Sequence, residues 1–149
     1  MGENMNANNE LLMYIYQNAD MGLITTKKII SLIQKKDNKI KSDIEDLLKG
    51  YEHFLKESKC LLKKKKVKIK AENKLAVLTA NTAIIKEIST DNTDTRVADI
   101  LIRGLNLGEI NITKKVSAIE KEQDKEIVGL AKNLEKFCKE SIHRLKEYL

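Results

Sequence analysis

The sequence predicts an all-α protein: a four-helix bundle, up-down-down-up, built from a duplicated helical hairpin with a short crossover helix. Three observations carry this expectation. Pro is absent and Gly supplies only 6 of 149 residues, while Leu, Ile, Lys, Glu and Ala dominate, a composition that favours helices over sheet or disorder. Apolar residues recur three and four apart through most of the chain, the spacing of one helix face. Finally, Phe54-Leu55-Lys56-Glu57-Ser58 returns 83 positions later as Phe137-Cys138-Lys139-Glu140-Ser141. Upstream, Gly22, Ile24, Lys28, Ile30, Ser31, Ile33 and Lys35 meet Gly108, Ile110, Lys114, Val116, Ser117, Ile119 and Lys121 at an offset of 86.

The elements follow in order. After Met1 to Ala7, expected to be mobile, Asn8 or Asn9 is placed to cap a helix running to about Lys36. Its stripe is Leu12, Ile15, Ala19, Gly22, Leu23, Thr26, Ile29, Ile30 and Ile33. Asp37-Asn38 turns the chain into a second helix, about Lys39 to Lys65, with Ile40, Ile44, Leu47, Leu48, Tyr51, Phe54, Leu55, Ser58 and Leu62 on one face. So short a turn makes the two helices antiparallel. Val67 to Lys70 alternates too briefly for a sheet.

A shorter third helix is expected from about Ala71 to Ser89, on Val77, Leu78, Asn81, Ile84, Ile85 and Ile88. Asp91-Asn92-Thr93-Asp94 supplies turn and cap residues. The fourth helix, about Thr95 to Lys121, would bury Val97, Ala98, Leu101, Leu105, Gly108, Ile112, Val116 and Ile119. The fifth follows Gln123-Asp124 on Ile127, Leu130, Ala131, Leu134, Phe137, Cys138, Ser141, Leu145 and Tyr148. The whole of 1–149 reads as one domain, with hairpin repeats at about 9–66 and 95–149 and a crossover at 67–94. At about 1.5 Å per residue the third helix spans most of the length of its neighbours and returns the chain to the starting end. The alternative is a five-helix up-down bundle in which the third helix is a full core member.

A chain of this length buries roughly 70% of the surface it would expose unfolded, so a sizeable core is expected. No apolar run approaches the ~20 residues needed to cross a bilayer, and the Asn-rich start lacks a signal peptide's apolar segment. A cytoplasmic location without membrane attachment is therefore expected. Cys60 and Cys138 occupy different places in the two repeats, unlike a disulfide framework. The net charge of +6 is local. Lys59, Lys63, Lys64, Lys65, Lys66, Lys68 and Lys70 lie within twelve residues that hold no acid; without them 21 basic residues face 22 acids.

Duplicated hairpins joined by a long crossover, with the phrases Asn18-Ala19-Asp20-Met21-Gly22 and Leu101-Ile102-Arg103-Gly104-Leu105-Asn106-Leu107-Gly108, resemble the ferritin-like superfamily and its small bacterial members of unknown function. The resemblance implies a di-iron centre made from a Glu on the first helix of each hairpin and a Glu-x-x-His on the second, all inward. Only Glu140-Ser141-Ile142-His143 has that form; its counterpart is Glu57-Ser58-Lys59-Cys60. Glu140 and His143 fall on the side of their helix away from its stripe, and the opposing helices offer Asp20 and Asn106. The candidate ligands Asp20, Glu57, Glu140 and His143 thus do not make an intact site. No cofactor is expected, and iron or another divalent metal is kept as an alternative.

Gly22 and Gly108 share one place in the repeat, and an interior helix glycine costs roughly 1 kcal/mol relative to alanine. Close helix approach is the expected compensation, and a backbone opened for a ligand is the alternative. Lys63, Lys64, Lys65, Lys66, Lys68 and Lys70 could bind a polyanion by counterion release. Several of them instead end the second helix, where cations suit the dipole, and no aromatic lies among them to stack a base; nucleic acid is not the expected partner. His53, Cys60 and Cys138 cannot be placed with a base and an orienting group, which argues against an enzyme. Tyr14, Met21, Ile24 and Leu32 lie off the main stripe, with Ile100, Leu107, Ile110 and Ala118 at the 86 offset. Extra apolar faces need covers, so the crossover helix and a second subunit are expected, with a homodimer the simplest assembly. The expected function is a non-enzymatic bundle acting through protein–protein contacts; the alternative is a metal-binding or oxidase-like relative with an atypical site.

Overall fold

The computed structural model describes residues 6–70 and 74–149, including all of their side chains except those at 74–76 and 78. The chain forms five α-helices and a terminal 3-10 turn: α1 (Ala7–Ile33), α2 (Lys41–Lys64), α3 (Lys74–Thr90), α4 (Asp94–Ser117), α5 (Lys125–Leu145) and the turn Lys146–Tyr148. No strand occurs among the described residues, and Val67 to Lys70 is irregular. The start of the third helix expected at Ala71, the side chain of Leu78 and the first five residues of the expected mobile segment lie outside the described residues.

Helix α1 begins two residues earlier than the Asn8 or Asn9 cap predicts. Asn6 is the cap, its side chain accepting the Asn9 N–H at 2.8 Å. Asn8 is needed elsewhere: its amide donates to Glu122 O at 3.1 Å, and its Oδ1 accepts the Asp124 N–H at 2.8 Å. These two bonds tie down the α4–α5 connection. Accordingly α4 stops at Ser117, about a turn short of the expected Lys121, with the Ala118 N–H closing back on Lys114 O at 3.0 Å.

Helix α1 is the central element. It packs on α2, α4, α5 and α3, whereas no Cα atom of α2 comes within 8 Å of one of α4 among the described residues. Contact on several sides explains why Leu11 and Met13 are buried beside the predicted stripe of Leu12, Ile15, Ala19, Leu23, Thr26, Ile29 and Ile33. The outer helices bury narrower faces. On α2 these are Ile44, Leu47, Tyr51, Phe54, Ser58 and Leu62, and on α5 Ile127, Leu130, Ala131, Leu134, Cys138, Ser141 and Leu145 all lie inside.

Paired contacts fix the directions of the helices. Asn8 meets 122–124, the Asn18 side chain lies at Gly108, and Asn38 donates to Asp94 Oδ1 at 2.7 Å, so α1 and α4 run in opposite senses. Lys65 meets Asp124, Gly50 meets Phe137, and the Tyr148 hydroxyl donates to Asp43, so α2 and α5 are also antiparallel. The segment before α3 meets α1 at Gln17, whose Nε2 donates to Lys70 O, and α3 meets it further along, where Thr25 Oγ1 donates to Asn81 Oδ1. The Asp43 carboxylate holds the Tyr148 hydroxyl in its protonated form, pushing it up to about 12.

Two junctions give local predictions. Helix α2 ends in a Schellman turn, Lys66 N–H to Lys63 O at 3.1 Å and Val67 N–H to Leu62 O at 2.9 Å, with Lys66 at φ 57°. That conformation suits glycine and disfavours a residue with a Cβ. Lys66→Gly is expected to stabilise the fold by about 0.5–1 kcal/mol, read as a higher denaturant midpoint at unchanged slope.

At the other junction, Asp124 caps α5 by accepting from Glu126 N (3.0 Å) and Ile127 N (3.2 Å), and pairs with Lys65 Nζ at 2.6 Å. The Lys65 hydrogen bond holds the Asp124 carboxyl below its ordinary range, and the same bond raises Lys65. A carboxyl depressed in the folded state contributes stability that is full above its unfolded pKa and is lost as pH falls through the folded value. The raised lysine contributes stability that is full below its unfolded pKa and is lost as pH rises through its folded value. Asp124→Ala should cost about 1–2 kcal/mol at neutral pH through the lost cap and pair. Asp124→Asn should keep the cap and flatten the acid limb of the stability profile below about pH 4.

Candidate functional site

The candidate metal ligands are scattered. Asp20 is half-buried on α1, whereas Glu57 on α2 and Glu140 and His143 on α5 are exposed. Glu140 faces Lys136 at 3.8 Å along its own helix. No group of three or more His, Cys, Asp or Glu side chains gathers among the described residues. The donor set does not fit a di-iron centre.

Aromatic rings gather between α2 and α5. Phe54 and Phe137 meet with centroids 5.5 Å apart, and Tyr51 contacts Phe137 edge-on at 5.5 Å. The Phe137 ring occupies the space where a Cβ on Gly50 would sit, and the Tyr51 ring does the same at Gly22. These two glycines are thus receptacles for rings from a neighbouring helix. At Gly108 a Cβ would meet Asn18 Nδ2 at 3.1 Å, while at Gly104 and Gly129 it would meet nothing within 4 Å. Burial pushes the Cys138 thiol up to about 12 and makes it a poor nucleophile, whereas Cys60 is exposed. His53 is exposed, its ring edge-on to Phe54.

The lysine cluster lies at the end of α2 and in the segment after it. Lys63, Lys64, Lys66, Lys68 and Lys70 are exposed. Lys64 pairs with Glu126 at 3.1 Å, and Lys65 pairs with Asp124 and, at 3.8 Å, with Glu126. The first turn of α5 therefore neutralises part of the cluster, a relation that local charge counting could not reveal because the partners lie about sixty residues away.

The off-stripe apolar residues divide. Ile100 is buried, and Tyr14, Met21 and Leu32 are half-buried, whereas Ile24 (41%), Leu107 (62%) and Ile110 (51%) stay exposed. Helix α3 covers only part of this face, through contacts with α1 and fewer with α4. Between the three helices lies a cleft of about 300 Å³ with Tyr51 at its floor. Its walls include Met21, Gly22 and Thr25 of α1, Gly104 and Leu107 of α4, and Ile84 of α3. No helix among the described residues is long and apolar enough to cross a membrane. Comparison with protein-family models, with curated proteins and with solved structures returns no match.

Proposed function

We propose that the chain is a duplicated-hairpin, up-down-down-up bundle on a ferritin-like scaffold without an intact di-iron site, and that it works as a cytoplasmic, non-enzymatic protein through contacts with other chains. Its first contact is with a second copy of itself, across the outer faces of α1 and α4. The observation that carries this is the exposure of Ile24, Leu107 and Ile110. Large aliphatic side chains left exposed on neighbouring helices are candidates for an association surface.

A second copy is the favoured occupant because Ile24 and Ile110 are counterparts at the 86 offset. In an isologous contact each copy would present the same exposed residues to the other. A standard interface takes about 800 Å² per partner, under a tenth of the 9358 Å² surface. Helices of this length offer that area readily. The paired lysines at 64 and 65 support protein contact over nucleic-acid binding, since neutralised cations release fewer counterions.

Static light scattering at tens of micromolar tests the proposal. A dimer mass is expected, and a monomer mass throughout that range would contradict self-association. Anaerobic titration of Fe(II) into protein purified without chelators tests the other half, and a stoichiometric, saturable metal would contradict it.

A further inference from the structure

We infer that the cleft between α1, α3 and α4 is a binding site for a small, uncharged, mainly apolar molecule. This goes beyond self-association, and the two share Leu107, which belongs both to the proposed contact face and to the mouth of the cleft. The cleft, at about 300 Å³, lies at the small end of the roughly 300–1,000 Å³ range of ligand sites. Gly22, Gly104 and Gly108 all line it; the Tyr51 ring takes the space at Gly22 and Asn18 crowds that at Gly108, whereas the Cβ position of Gly104 stays open. At Gly104 the omission has no steric cause, because nothing stands within 4 Å of the Cβ position. An interior helix glycine costs roughly 1 kcal/mol relative to alanine, and a cleft kept open for an occupant accounts for retaining it there.

The chemistry of the wall selects the ligand. Among the described residues no lining side chain is charged, and bringing an unpaired charge into such a site is costly. The polar groups are few and fixed. Asn18 Nδ2 donates to Tyr14 Oη at 3.3 Å, and Thr25 Oγ1 donates to Asn81 Oδ1 at 3.2 Å. No described donor reaches Asn18 Oδ1, so the amide can accept one hydrogen bond from a ligand hydroxyl or amine. Asn18 and Thr25 stand two turns apart on α1, about 10 Å, a separation that a two-ring molecule spans. The floor is buried at Tyr51, Thr26 and Leu101, and the mouth opens at Gly104, Leu107 and Ala80. A ligand entering between α3 and α4 would therefore lose most of its exposed apolar surface.

The test uses N-phenyl-1-naphthylamine, neutral and two-part in shape with one N–H, whose fluorescence rises on leaving water. Its sulfonated analogue 8-anilino-1-naphthalenesulfonate serves as the charged control. The expected result is saturable binding of one neutral probe per chain, with the sulfonate weaker by about tenfold or more. Gly104→Leu, which has room for its side chain at the mouth, should weaken the neutral probe by about tenfold or more without lowering the melting temperature. Ala80→Leu, from the opposite rim, should do the same. Binding that is unchanged in both variants, absent from the unmodified protein, or as tight for the sulfonate would overturn the inference. Ile24→Lys should leave probe binding intact, since Ile24 does not line the cleft.

Discussion

Replacing Phe54 by alanine is expected to cost about 3–5 kcal/mol, the range for deleting a buried ring without collapse of the space it leaves. Phe54 is 5% exposed and touches Phe137 across the α2–α5 seam. For a chain of this size that loss lowers the melting temperature by roughly 6–20 °C. Phe137→Ala should cost less, because its ring is only half-buried. In a double-mutant cycle the two should couple by about 0.5–1.5 kcal/mol, the value of an aromatic pair beyond its buried area. Additive losses would mean that the two rings do not support one another.

The second large effect concerns glycines, and its sign depends on position. Gly22→Val and Gly50→Val place a branched side chain where the Tyr51 and Phe137 rings already lie. Tyr51 is buried, and Phe137 is held between Tyr51 and Phe54, so neither ring can swing clear cheaply. Overpacking of this kind should destabilise by about 3 kcal/mol. Gly104→Ala and Gly129→Ala, whose Cβ positions are open, should instead stabilise by up to about 1 kcal/mol, the helix-propensity difference. Chemical denaturation of the four variants reads both signs.

The features legible in the sequence were those set by a single helix face. Helices α2 and α5 each pack along one stripe, so spacing alone placed Ile44, Leu47, Tyr51, Phe54, Ser58 and Leu62 inside, and Glu57, Glu140, His53 and His143 outside. Helix α1 was harder, because burial on several sides blurs the period; Leu11 and Met13 gave no signal of their own. The end of α4 was missed because it depends on Asn8, more than a hundred residues away, holding Glu122 and Asp124. The role of Gly50 was invisible for the same reason, since its partner Phe137 comes from the other hairpin. Gly104 and Gly108 stand four apart, hence on one side of α4, which bears on the ligand-opened backbone that was the alternative reading of Gly22 and Gly108.

The central claim is that this chain acts through the outer faces of α1 and α4, and it is tested most directly there. Sedimentation velocity should compare the unmodified protein with the double variant Ile24→Lys, Ile110→Lys. Both positions are exposed, and neither lines the cleft, so folding and probe binding should be retained. The expected result is a dimer that becomes a monomer in the double variant at the same concentration and melting temperature. A double variant that sediments like the unmodified chain would contradict the claim.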